Sequence, residues 1–172
     1  MAADVDVLSW ESIRETRPGF YEVLMLSSFN ELRKQQPEAV KITRIAVLPG
    51  WGPEYAFTLF EQKSERSVMI EIASYHQVET SVPERVLRMK LKEEKDIQNA
   101  ALFMTQTLGS LKWTDAPSKE NIPDDGTMIM FEKFEQNAGH YFTKVELPRL
   151  SSKALAGLRS MAERYSKLEW SK

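Results

Sequence analysis

The chain has 172 residues, 42% of them hydrophobic and 28% charged, the composition of a globular protein long enough to bury a core. Its 23 basic and 25 acidic residues are interspersed and leave a net charge of -2, which excludes the broad positive field of a nucleic-acid binder and a polybasic membrane anchor. There is no cysteine, so disulfides, zinc thiolate sites and thiol nucleophiles are excluded as well.

The segment from Met1 to Glu11 is acidic and lacks both a basic n-region and an apolar h-region, so it does not read as a secretory signal. No apolar run approaches the ~20 residues that a spanning helix needs. A cytoplasmic protein without a membrane segment is expected. Ser9-Trp10-Glu11 can open a short helix that ends near Pro18. From Phe20, the apolar positions Phe20, Val23, Leu24, Phe29 and Leu32 suit one helical face, while Tyr21-Glu22-Val23 alternates like a strand. Pro37 ends either element.

The middle of the chain reads as strands. Residues 40–48 begin alternating and end apolar, then break at Pro49-Gly50-Trp51-Gly52-Pro53. Residues 55–60 are aromatic and β-rich, and residues 67–74 place Val68, Ile70 and Ile72 on one side. The two form a hairpin candidate across a charged connection that has no Asn-Gly type of turn. Residues 85–92 alternate cleanly after Pro83.

The period then changes. Ile97, Ala100, Ala101, Met104 and Leu108 recur at helical spacing, with Glu93, Glu94 and Asp96 where the macrodipole favours acids and Gly109 as the expected stop. After a polar loop from Trp113 to Pro123, residues 124–148 read as two strands joined by a short turn. A last helix carries Leu155, Leu158, Met161, Ala162 and Tyr165 on one stripe. The expected fold is α+β: one domain over residues 1–172, with a single antiparallel β-sheet and helices packed on one face.

Three pieces in order carry a resemblance: a strand running into an acidic helix (residues 86–108), the loop Trp113-Thr114-Asp115-Ala116-Pro117, and Asp125-Gly126-Thr127 leading a hairpin. That hairpin has Glu132 in its first strand and returns through His140-Tyr141 to Pro148 and a closing helix. Residues 85–168 thus resemble small bacterial α+β proteins of largely unknown function, some of which look like toxin-immunity proteins. The chain departs from their pattern at Ile129, where a Trp is usual, and in the order of His140-Tyr141. The resemblance implies a protein that binds a cognate toxin.

The residues themselves offer little catalytic chemistry. His76 and His140 are the only histidines; neither has a His-x-x-x-His partner, and no Gly-x-Ser-x-Gly elbow is present. Asp115, Glu120, Asp124 and Asp125 crowd one loop without the Asp-x-Asp-x-Asp-Gly spacing of a calcium site. Turn chemistry explains Asp125-Gly126 best, a contact with a partner comes second, and metal or acid–base chemistry third. Gly50-Trp51-Gly52 is a turn that presents Trp51 as a contact residue. The strand Met128-Ile129-Met130-Phe131 is apolar on both sides and needs cover on both, from a central place in the sheet or from another chain. Glu132 beside it needs a partner, with Lys144 or His140 across the hairpin as candidates.

The reading that emerges is a non-enzymatic protein-binding module without cofactor or metal, most concretely an immunity protein. Its partner-binding residues would be Trp51, Asp115, Glu120, Asp124 and Asp125. The alternative is a small-ligand or metal-binding enzyme using the acidic loop 115–125.

Overall fold

The computed structural model describes residues 29–48, 54–74, 85–110, 128–136, 140–146 and 153–170. The expected helix from Ser9, the break at residues 49–53 and the polar loop after Ser110 lie outside them. Strands β1 (Lys41–Leu48), β2 (Glu54–Glu61), β3 (Arg66–Ser74), β4 (Arg85–Lys90), β5 (Met128–Glu135) and β6 (His140–Glu146) form one sheet in the order β4-β3-β2-β1-β5-β6. Every neighbouring pair is antiparallel. Helices α1 (Phe29–Gln35), α2 (Glu94–Ser110) and α3 (Lys153–Trp170) complete the described elements. The fold is α+β with a single antiparallel sheet, as its alternation of strand and helix periods predicts.

The topology is a four-strand meander followed by a hairpin that returns to the meander's first strand. The β2–β3 connection has no special turn residue. It is closed by the Gln62 N–H donating to the Glu65 carbonyl at 2.8 Å, with Glu61 opposite Arg66. Register follows instead from the apolar rows that face the helices. Val68, Ile70 and Ile72 of β3 stand opposite Leu59, Phe57 and Tyr55 of β2 and are withdrawn from solvent with them. At the far edge, β4 alternates half-buried Leu87 and Met89 with exposed Arg88 and Lys90.

The two long helices cover one face. Ile97, Ala100, Ala101 and Met104 of α2 and Leu155, Leu158, Met161, Ala162 and Tyr165 of α3 enter one core with Ile45, Val47, Phe57, Ile70, Ile129 and Phe131. This is the stripe that helical spacing predicts. The Ile97 N–H donates to the Glu93 carbonyl at 3.0 Å, so Glu93 stands at the start of α2, with Glu94 and Asp96 in its first turn. The described helix ends at Ser110, one residue past the stop expected at Gly109.

The opposite face is also withdrawn from solvent at its centre: Ala46, Ala56, Thr58, Glu71, Met130 and Glu132 are all buried. At one end of that face Leu32 of α1 joins Ala39, Ile42, Phe60 and Phe134 in a second, smaller cluster. Strand β5 lies between β1 and β6 with Ile129 and Phe131 on the helix side and Met130 on the other. Ile129, Met130 and Phe131 are all buried, so both faces of this strand are covered. None of the described helices is long and apolar enough to cross a membrane.

A polar clasp joins the two long helices. Arg164 donates to Asp96 Oδ1 at 2.6 Å, and the Tyr165 hydroxyl donates to Asp96 Oδ2. Burial opposes ionisation of Asp96, but the hydrogen bonds from Tyr165 and Arg164 and the adjacent guanidinium outweigh it, and the carboxyl is held below its ordinary value. Burial first, then the bond to Asp96, pushes Tyr165 up to about 12 from 10.0. The helices also approach closely at Gly157, where an added Cβ would stand 2.7 Å from the tip of the Phe103 ring.

Two outcomes follow from this helix pair. Asp96 gives stability above the unfolded carboxylate pKa that is lost as pH falls through the lower folded value, whereas Tyr165 gives stability below pH 10.0 that is lost as pH rises towards about 12. Urea unfolding across pH should show the acid arm flattened in Asp96→Asn and the alkaline arm reduced but not abolished, since burial of Tyr165 remains; an unchanged profile would remove the clasp from the stability account. Gly157→Ala should lower stability by about 1 kcal/mol, because overpacking against Phe103 exceeds the gain in helix propensity. Adding Phe103→Leu should restore the loss in the same melts.

Candidate functional site

Trp51, Asp115, Glu120, Asp124 and Asp125, the residues singled out for partner binding, lie outside the described residues, as does His76. For His140 only the backbone is described, at the start of β6 opposite Glu135. Among the described residues no group of three or more His, Asp or Glu side chains is placed to hold a metal ion.

Glu132 is described, and its partner differs from both candidates. The hairpin register sets Thr143 opposite Glu132, puts Lys144 opposite Phe131 and carries His140 to the far end. The partner comes from the other side, where β1 places Arg44 opposite Glu132. Arg44 Nε donates to Glu132 Oε2 at 2.5 Å, its Nη2 approaches the same oxygen, and both side chains are fully buried. Sequence reasoning looked within the hairpin because β5 and β6 are neighbours in the chain; it could not see that β1, some ninety positions earlier, lies on β5's other side.

This pair anchors a polar band across the face opposite the long helices. Thr58 of β2 stands opposite Arg44, fully buried, and its hydroxyl has no hydrogen-bond partner. Further along, Arg88 of the edge strand donates from Nε to the buried Glu71 at 2.9 Å. Arg44 and Glu132 pair across the strands and bind β1 to β5. The idle Thr58 hydroxyl carries a desolvation cost on the order of 1–3 kcal/mol. The chemistry of the band is that of a structural clamp.

An accessible surface lies elsewhere, at the end of the sheet where β1 begins and β2 and β5 finish. Val40 extends the ladder there on both sides: its N–H donates to the Glu61 carbonyl at 2.8 Å, and its carbonyl accepts from the Gln136 N–H at 2.9 Å. Between this end and α2, on the helix side, runs an open trough of about 420 Å³. Buried Leu59, Ala101 and Met104 floor it, while Lys41, Glu61 and Arg66 line its sheet side. Leu102, the one large hydrophobic exposed among the described residues at 52%, stands on its helix lip.

Lys41 and Glu61 are 3.5 Å apart and both half-exposed, so their pairing is worth no more than about 1 kcal/mol and leaves the charges within reach of a partner. The trough thus joins an apolar floor and anchor to a rim of mixed charge, the composition of a modest protein interface. A signal for it was present in the sequence. Leu102 falls on the side of α2 opposite the stripe of Ile97, Ala101 and Met104, a large apolar residue where a polar one is expected.

No protein-family model matches the chain, and neither curated proteins nor solved structures yield a match.

The buried pair generates a direct test. Arg44→Met or Glu132→Leu alone should cost about 3–5 kcal/mol, because each takes from a buried charge the opposite charge it is paired with. The double variant Arg44→Met with Glu132→Leu should recover most of that loss. Chemical denaturation of the four proteins measures the coupling, and purely additive losses would deny the clamp.

Proposed function

We propose that this protein is a non-enzymatic protein-binding module, and more narrowly an immunity protein that binds and neutralises a cognate bacterial toxin. The observation that carries the binding reading is Leu102 exposed at the lip of an open, apolar-floored trough with a mixed-charge rim. An apolar anchor beside a floor that can receive a partner's side chain supplies affinity, and the charged rim selects partner and orientation. The narrower reading rests on the resemblance carried by residues 85–168. In that reading the partner meets the acidic residues Asp115, Glu120, Asp124 and Asp125 together with Trp51, in addition to the trough. The acidic residues would mask a basic active-site cleft of the toxin, and Leu102 would provide a second, apolar foothold.

The experiment is co-expression. The open reading frame beside this protein's gene should arrest growth when expressed alone and cease to do so when this protein is present. Leu102→Asp should weaken the purified complex by at least about tenfold, read by isothermal titration calorimetry, with little change in melting temperature. A harmless neighbour would remove the immunity reading. Full affinity in Leu102→Asp would remove the trough from the interface.

A further inference from the structure

At the same end of the sheet, on the face opposite α2 and α3, an open groove of about 580 Å³ runs beside α1. Its floor is Ala39, Ile42 and Phe134, all buried, and exposed Pro37 continues the apolar surface. Two cations border it. The Arg33 guanidinium lies 3.9 Å from the centroid of the Phe134 ring, and Lys34 beside it is exposed. Neither has a carboxylate partner among the described residues, and no described lining residue is acidic. The nearby Glu135 is engaged by Lys133. Glu31 and Glu38 flank the two cations in the chain, but neither lines the groove, so the charged groups on its lining are both positive.

We infer that this groove binds an acidic peptide segment of a protein partner, one that carries a bulky apolar side chain. The inference rests on the reading of the chain as a binding module and adds a second surface of opposite charge preference to it. Stacking on Phe134 holds the Arg33 guanidinium in place at low entropic cost while its N–H edge stays open to a carboxylate. Lys34 supplies a second point charge, and the floor of Ile42 and Phe134 takes the apolar side chain. The amides of Gln36 and Gln136, also on the lining, can pair with peptide groups of the segment. Nucleic acid fits less well, since phosphate-driven binding draws on roughly six to ten cationic contacts rather than two.

The probe is the fluorescein-labelled peptide acetyl-Asp-Asp-Leu-Trp-Glu-Asp-amide, followed by anisotropy on the full chain. Two controls accompany it, one with lysine at each acidic position and one with serine for Leu and Trp. The acidic apolar peptide should saturate. Its affinity should fall about tenfold in Lys34→Glu, and likewise when salt rises from about 0.05 M to about 0.5 M, as expected for exposed charge pairing. Lys34 is exposed, so Lys34→Glu should keep the melting temperature even where Arg33→Glu disturbs the contact with Phe134.

Equal binding of the lysine peptide, or unchanged affinity in Lys34→Glu, overturns the inference. So does a dimer in sedimentation equilibrium that Lys34→Glu dissolves, because the occupant is then a second copy of this chain. If the peptide fails while the co-expressed partner still binds, the groove assignment falls and the binding-module reading stands. Peptide binding without any toxic neighbour leaves the groove in place and removes the immunity reading.

Discussion

The sheet depends on how β1 and β5 meet. Strand β1 is the seam at which the meander joins the later hairpin, two pieces of chain separated by the whole of α2 and the polar loop that follows. Apolar strands alone define such a seam poorly, since many registers bury comparable area. Arg44 and Glu132 remove the degeneracy. A slip of one residue would turn Glu132 towards the helices and leave Arg44 buried without its partner, a penalty of several kcal/mol that no repacked methylene offsets. The pair is therefore better understood as a device for selecting one arrangement than as a source of net stability.

That division separates the molecule's interior from its accessible end. The charged groups in the middle of the sheet are committed to one another, Arg44 with Glu132 and Arg88 with Glu71. At the end where β1 begins, Lys41, Glu61, Arg66, Arg33 and Lys34 face open space beside apolar floors on the two sides of the sheet. Polar groups buried in the centre hold the backbone in place, and so those at the rim are free to face a partner without being needed for the fold.

Much of the architecture was legible in the sequence because burial imposes a period. The alternation of Val68, Ile70 and Ile72, and the stripes Ile97 to Met104 and Leu155 to Tyr165, announced their elements and the faces they bury. What could not be read was any relation between distant strands. Nothing near Glu132 in the chain names Arg44 as its partner, and Arg44 sits in the alternating first half of its strand, where a charged residue reads as solvent-facing. The stop expected at Gly109 fell within one residue of the described helix end, because a glycine after the last apolar turn is a local signal. The trough was half legible, through Leu102 standing off its helix's stripe. The groove beside α1 was not, because Arg33 and Phe134 meet only after about a hundred intervening residues have folded.

One edge of the sheet has a consequence for the protein's life at high concentration. Among the described residues, strand β4 ends the sheet, the position from which strands of separate molecules can join into extended ribbons. Arg88 and Lys90 are exposed along this short edge, and Arg88 is tethered to Glu71 rather than left to swing away. A second β4 approaching in register would bring cation against cation. The same tether that steadies the sheet therefore keeps a charge posted where uncontrolled polymerisation would start.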